Sequence, residues 1–441
     1  MSVTTADFQR PQSATHGMVA ITGLGAFLLA IIIVRIYRPF GNNLVNSVLF
    51  IVGVTAGVIF LVGMVWQKVH LRPSTGMDFD YDNPSWNRSL YKLAGLFGSF
   101  GFIAFFYWIV PQYHQNSYDR YYEMLRIILP PWLILALPYF FLVDRKMREP
   151  FDGYWHMGKL VTFQWGVVDS KVIGQHLVGW LIRGFFLPML FLPMCDDLGN
   201  ILSVDFGKSD SFSFRISVIF LRASSLFIDA GFGLIGYLMS LRIMDTHIRS
   251  IESTTLGWVV ALVCYTPFST ILFSLYLPFG KVSWETWLGD TPLFYGIWSI
   301  MILALGIVYT WGTVVFGARF ANLTHRGIVT DGPFRWTKHP HYVTKNLTWW
   351  MTSAPFLMLG TPDEALRQCL QLLGITVIYI MRAKTEERHL SRDPDYVQYA
   401  LWMEQHGIFR FIKRLPLLHH LSYRAPLQNV VATPARNFIS S

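Results

Sequence analysis

Charge is what this sequence has least of. Asp, Glu, Lys and Arg make up 14% of its 441 residues, against about 25% in soluble domains, so a soluble surface of this size would go uncovered. Cysteine is scarce as well. Cys195, Cys264 and Cys369 lie far apart with no CxxC or Cys/His spacing, which excludes a disulfide scaffold, gives no reason to expect a metal and leaves buried thiols as the expectation. Repeats and low-complexity tracts are missing, and with them collagen and disorder. A secretory leader is not expected either: residues 1–17 are polar, and the apolar stretch Met18–Tyr37 exceeds the ~7–15 residues of a leader core. The net charge of +9 does not call for a nucleic-acid partner, because excess Lys and Arg in a membrane protein gather in cytoplasmic loops.

What is abundant is apolar and aromatic: 53% hydrophobic residues, with 16 Trp, 20 Tyr and 35 Phe. The fold class expected is an all-α, polytopic membrane bundle. A helix crossing the hydrocarbon core needs ~20 apolar residues. That ruler marks Met18–Tyr37, Leu44–Trp66, Leu90–Pro111, Tyr122–Val143, Val172–Met194, Phe214–Ser240, Leu256–Phe279 and Leu293–Phe316. Two more, Tyr342–Gly360 and Ala365–Met381, form a hairpin about the Gly360-Thr361-Pro362 turn, giving about ten spans. Loop charge alternates with this count. Lys68, Arg72, Arg145, Lys146, Arg148, Arg242, Arg249, Arg319, Arg326, Arg335 and Lys338 fall in the loops after even-numbered spans, which places both termini in the cytoplasm, at the inner membrane if the cell is bacterial. The chain divides into an N-terminal membrane region, 1–290, a chemistry-bearing region, 291–420, and a tail, 421–441.

Two clusters carry the chemistry. Residues 322–346 read NLTHRGIVTDGPFRWTKHPHYVTKN. Asp331-Gly332-Pro333 is a turn signal, and Pro340 suits the first position of a helix, with His339 held out of the helical region. Arg335, Lys338, His339, His341 and Tyr342 therefore gather where a loop meets a helix N-terminus, a place suited to carboxylate or phosphate. An interfacial anchor with Trp336 and Tyr342 in an aromatic belt is the plainer reading. The second cluster, 382–399, reads RAKTEERHLSRDPDYVQY. Arg382 and Glu386 are four apart and able to pair, whereas adjacent Glu386 and Glu387 face different ways, so that one pairs internally and the other meets a ligand. A solvated, salt-bridged helix extension is the plainer alternative.

Taken together, GPFRxxKHPxY, a hydrophobic hairpin, RxxxEExxL and YxxY resemble the isoprenylcysteine carboxyl methyltransferase family, a group related to the phospholipid N-methyltransferases. The family pattern is GPYxxxRHPxYxG followed by RxxxEExxL and a Tyr-containing tail. Gly332, Pro333, Phe334, Arg335, His339, Pro340, Tyr342, Arg382, Glu386, Glu387, Leu390, Tyr396 and Tyr399 match it, over roughly Leu293–Leu415. The resemblance implies S-adenosylmethionine bound at the cytoplasmic membrane face and a lipophilic substrate arriving from the bilayer. It implies a cofactor site at Gly332, Pro333, Phe334, Arg335, Lys338, His339, Pro340, Tyr342, Glu386 and Glu387, with Arg382 orienting a substrate carboxylate. An amine or thiol acceptor would need a base, and His339 and His341 are the candidates. Lys338 departs from the family's Arg, and Thr344 stands where Gly is usual.

Two other functions are open to this sequence. A sterol-reductase-like enzyme would bind NADPH through a related C-terminal architecture, but His-Pro-His-Tyr replaces its His-x-Asn-Tyr element. A transporter or non-catalytic membrane protein is the third, supported by the charges inside spans: His176, Arg183, Arg222 and Asp229. An Arg183–Asp229 pair between helices is the structural expectation for these.

Overall fold

Long apolar runs become long helices here because a helix satisfies its own backbone, which a bilayer cannot do. The computed structural model describes residues 8–204, 214–270, 284–354, 361–416 and 419–425. Among them, seven helices are long and apolar enough to cross a membrane, and the chain is an all-α polytopic membrane protein, as its sequence predicts. It forms two compact units: Gly17–Ile251 with Thr313–Gly327, and Met1–His16 with Glu252–Gly312 and Ile328–Ser441.

The first unit contains α1 (Gly17–Tyr37), α2 (Leu44–Leu61), α3 (Trp86–Ile109), α4 (Asp119–Asp144), α5 (Gly153–Val161), α6 (Ser170–Ser203) and α7 (Phe214–Leu238). Side chains cap the free N–H groups at several helix starts: Asn43 accepts from Asn46 N, Ser85 from Arg88 N, and Asp169 from Lys171 N and Val172 N. Pro130, Pro131 and Pro138 lie inside α4 and Pro188 and Pro193 inside α6, tolerated as in other membrane helices. Between α3 and α5 the backbones touch. A Cβ on Gly95 would stand 1.9 Å from Tyr154 O, and one on Gly158 1.9 Å from Tyr91 O, so only glycine permits this packing.

The basic loops of this unit meet one another. A two-residue antiparallel pairing joins β1 (Ser250–Ile251) to β2 (Thr324–His325), with Ser250 opposite His325. Asp245 receives Arg319 at 2.7 Å, Arg249 at 3.0 Å and Arg72 at 3.9 Å, and accepts from Ser74 Oγ at 2.7 Å. Asp78 holds Arg148 at 2.9 Å. Segments following α2, α4 and α7 are thus tied directly to one another and to residues 317–327, the grouping that alternating loop charge demands. Away from them, Arg35 donates to Ile201 O and Val204 O, and Asn43 donates to Glu123.

The second unit holds α8 (Thr255–Leu262), α9 (Trp284–Leu288), most of α10 (Pro292–Phe316), α11 (Pro340–Ser353), α12 (Pro362–Leu390) and α13 (Pro394–His406). The expected Phe214–Ser240 span forms a helix, α7, that is not among the seven, and two further expected spans are corrected. The Leu256–Phe279 segment is not one helix: α8 closes at Leu262, and the chain turns through Thr266-Pro267, where proline brings no N–H. α11 stops at Ser353, because Ala354 takes φ 38°; its 14 residues reach about 21 Å, short of the ~30 Å hydrocarbon core. Residues 271–279, and 355–360 with the expected Gly360 turn, lie outside the described residues. α11 and α12 do form a hairpin, joined by Trp350 Nε1 donating to Thr376 Oγ1 at 3.2 Å. Against the expected region 291–420, this unit adds residues 252–290 and leaves 313–327 to the first unit. The start of the chain packs on it as well: Ala14 N donates to Ile328 O at 2.8 Å, and Arg10 pairs with Asp331 at 3.4 Å.

Candidate active site

Three short devices build the site. Gly332–Arg335 is a 3-10 turn entered through Gly332 at φ 60°. Tyr399 on α13 fixes it, donating its hydroxyl to Phe334 O at 2.7 Å. His339 then caps α11 with Pro340 in the first turn. The C-terminal part of α12 runs alongside and carries Arg382, Glu386 and Glu387.

These elements bring the two motifs together. Tyr342 donates to Glu386 Oε2 at 2.7 Å. The rings of His339 and Tyr342 stack, with centroids 5.4 Å apart and planes within 9°. His339 Nδ1 lies 3.8 Å from Glu386 Oε2, and its Nε2 lies 3.4 Å from Glu387 Oε1. The two carboxylates have different surroundings. Glu387, 7% exposed, meets Lys338 and Lys384, each at 2.8 Å. Glu386 is 43% exposed. Glu387 is therefore the internally paired carboxylate and Glu386 the open one. Lys338 also reaches Glu404 at 3.1 Å, so this lysine serves as a point charge between two acids.

The expected Arg382–Glu386 pair is not made. Arg382 turns into a cage of rings, donating to Tyr265 OH at 2.9 Å with its guanidinium 5.1 Å from the Tyr265 ring, 5.0 Å from Tyr342 and 5.9 Å from Tyr379. Three neighbouring rings suit a flat cation better than one carboxylate four residues away. His341 points elsewhere, against Tyr309 at 5.3 Å and Phe334 at 5.8 Å. It fills space that Gly312 leaves: a Cβ there would stand 2.8 Å from the imidazole. Arg335 is tied to Asp331 at 2.9 Å, its side chain 55% exposed. Thr344 is buried and bonds back to Pro340 O at 2.8 Å.

Sequence reasoning missed Tyr265, Tyr379, Lys384, Glu404 and Tyr423. Tyr379 sits one turn before Arg382, and helical spacing alone could have found it. Tyr423 lies 5.1 Å from Lys338 by its ring and shares a 2.8 Å hydrogen bond with Ser391 Oγ; no local pattern announces it. Tyr379 OH and Tyr396 OH are buried at the site without a hydrogen-bond partner among the described residues, while the buried His339 Nε2 has Glu387 Oε1 at 3.4 Å.

Residues 295–392 match the isoprenylcysteine carboxyl methyltransferase (ICMT) family, the family that the two motifs resemble; the match takes in Gly332 to Tyr342 and Arg382 to Leu390 and ends before Tyr396 and Tyr399. No curated protein and no solved structure matches the chain.

Proposed function

We propose that the C-terminal region, 291–420, is a membrane methyltransferase that takes S-adenosylmethionine and methylates a lipophilic or membrane-accessible acceptor. One observation carries the reading: Glu386, a half-exposed carboxylate, is held by Tyr342 and flanked by His339, so that two distant motifs converge on a single open acid inside the segment that matches the family. The donor set fits the cofactor. Glu386 is an acceptor for an ammonium or ribose hydroxyls. The buried Tyr396 OH, without a hydrogen-bond partner among the described residues, is a polar group of the kind that a ligand satisfies.

When bound, the cofactor supplies a methyl group on a sulfonium, which passes to the acceptor as the sulfur regains the bonding electron pair. The residues of this chain have the work of binding and orienting. Glu386 takes the cationic or hydroxylic part of the cofactor, Tyr342 fixes that carboxylate, and Lys338 and Glu387 hold His339 beside it. In-line transfer depends chiefly on orientation and exclusion of water. Arg382 acts as a positioning residue, locking Tyr342 and Tyr379. Gly332, Pro333 and Phe334 shape the turn that carries His339, and Pro340 starts its helix. In this reading both termini and the site are cytoplasmic, as the alternation of Lys and Arg between successive loops supports.

Calorimetric titration of the detergent-purified chain with S-adenosylhomocysteine, and separately with NADPH, tests the proposal. Saturable binding of the first and none of the second is expected. Binding of NADPH alone would make the protein a reductase, and binding of neither by folded protein would overturn an enzymatic reading.

A further inference from the structure

The N-terminal unit holds a cavity of about 520 Å³, lined wholly by its own residues and within the 300–1,000 Å³ typical of small-molecule sites. Where α4 and α6 line it the wall is mostly apolar, with Trp132, Leu135, Ala136, Phe140 and Trp180. The polar part of the lining sets four cations, Lys92 from α3, Arg183 from α6, and Arg242 and Arg249 from the segment following α7, against two carboxylates, Asp144 and Asp152, with His176 and His247 beside them.

Charge at this cavity is unbalanced. Lys92 is neutralised, by Asp144 at 2.8 Å and Asp152 at 3.1 Å, and Arg249 is neutralised by Asp245. Arg183 and Arg242 have no carboxylate partner among the described residues. Arg183 lies within the α6 span, with one hydrogen bond, to Ser240 Oγ at 2.9 Å, and its guanidinium 5.1 Å from the Trp180 ring. Its Nε is buried without an acceptor, as are Trp180 Nε1 and Arg249 Nε. Arg326, 2% exposed, does not line the cavity but is near enough to Arg183 to feel its charge: its guanidinium is pushed down to about 9, by burial first and then by Arg183. Guanidinium groups within a membrane bundle pair with something or line a site, and buried donors without acceptors are costly.

We propose that this cavity binds an anionic amphiphile, an acyl chain bearing a carboxylate or a phosphate, with Arg183 as the principal contact for the anion and Arg242 as the second. Planar guanidinium suits both groups by paired hydrogen bonds, while the rings of Trp132, Phe140 and Trp180 accept the chain. The site does not depend on the methyltransferase reading and would operate without it.

Equilibrium binding of radiolabelled palmitate and of radiolabelled lysophosphatidate to the full chain, reconstituted in discs of uncharged lipid, tests this. Monoacylglycerol and dodecyltrimethylammonium serve as uncharged and cationic competitors. At least one anionic probe should bind saturably, with neither competitor displacing it at equal concentration. Palmitate alone would identify a fatty-acid site, and lysophosphatidate alone a phosphate headgroup site. Arg183→Gln should weaken binding roughly ten- to a hundredfold, the range of a lost charged hydrogen bond. Ala136→Trp, which fills the apolar wall and leaves every cation in place, should block it. Unchanged affinity in both variants, equal displacement by monoacylglycerol, or no binding of either anion by folded protein would overturn the proposal.

Discussion

Tyr342 and Glu386 meet at 2.7 Å across 44 residues of chain. That contact joins the start of one hairpin helix to the end of the other, and it fixes the direction of the only half-exposed acid in the paired motif. If Glu386 binds the cofactor, its affinity depends on a hydroxyl that touches no substrate. Tyr342→Phe keeps the ring stacked on His339 and near Arg382 while removing the donor. S-adenosylhomocysteine affinity should fall about tenfold, the value of one charge-assisted hydrogen bond, with the melting temperature little changed. Calorimetry on the variant reads this, and unchanged affinity would separate Glu386 from the cofactor.

The adjacent glutamates should respond oppositely to the same substitution. Glu387, 7% exposed between Lys338 and Lys384, compensates buried cations, and Glu387→Gln should cost about 3–5 kcal/mol of stability. Glu386→Gln removes no ion pair among the described residues other than the long one to His339 at 3.8 Å. It should leave stability within about 1 kcal/mol and abolish cofactor binding. Thermal denaturation in detergent together with calorimetry separates the two. Equal loss of stability would show that both acids are structural.

Much of this site was legible because each motif is nearly contiguous. Gly332 to Tyr342 and Arg382 to Leu390 read as a turn, a helix start and a charged helix end, and they take those forms. The partners of Arg382 were not legible. Tyr265 comes from 117 residues upstream and follows α8, a segment whose apolar character suggested an unbroken span. Apolar runs also overstated α11, where a positive φ at Ala354 ends the helix inside a hydrophobic stretch. The expected Arg183–Asp229 pair failed for a similar reason. Arg183 donates to Ser240 Oγ, and Asp229 accepts from Thr313, because which faces of two helices meet is decided by packing over their whole length. Loop charge, summed over many residues, was the more robust signal, and the basic loops do meet.

Gly312 and His341 make a testable fit within the second unit. Gly312→Ala would bring a methyl group 2.8 Å from the imidazole, which Tyr309 and Phe334 already flank. We expect a loss of about 1–3 kcal/mol, the usual penalty for overpacking. In the double variant with His341→Ala the methyl group has room, so the two effects should couple by about 0.5–3 kcal/mol. Simple additivity in a double-mutant cycle would show that the imidazole moves aside freely.

Asp245 is the acid about which the basic loops are arranged, and its ionisation should be felt by the whole N-terminal unit. Burial works against its charge, but Arg319 and Arg249 outweigh burial and hold its carboxyl below the usual 3.8. A carboxyl depressed in the folded state contributes stability that is fully present above its unfolded value and disappears as pH falls through the lower, folded one. Asp245→Asn leaves Arg319, whose side chain is 4% exposed, without its acid, and should cost about 3–5 kcal/mol near neutrality. The gap in melting temperature between wild type and variant should hold steady from neutral pH into mild acid. It should close only below 3.8, where the wild-type carboxylate itself takes a proton. Melting curves across that range provide the check. A gap that narrowed already between pH 7 and 5 would assign the loss to another group, because Asp245 stays ionised throughout that interval.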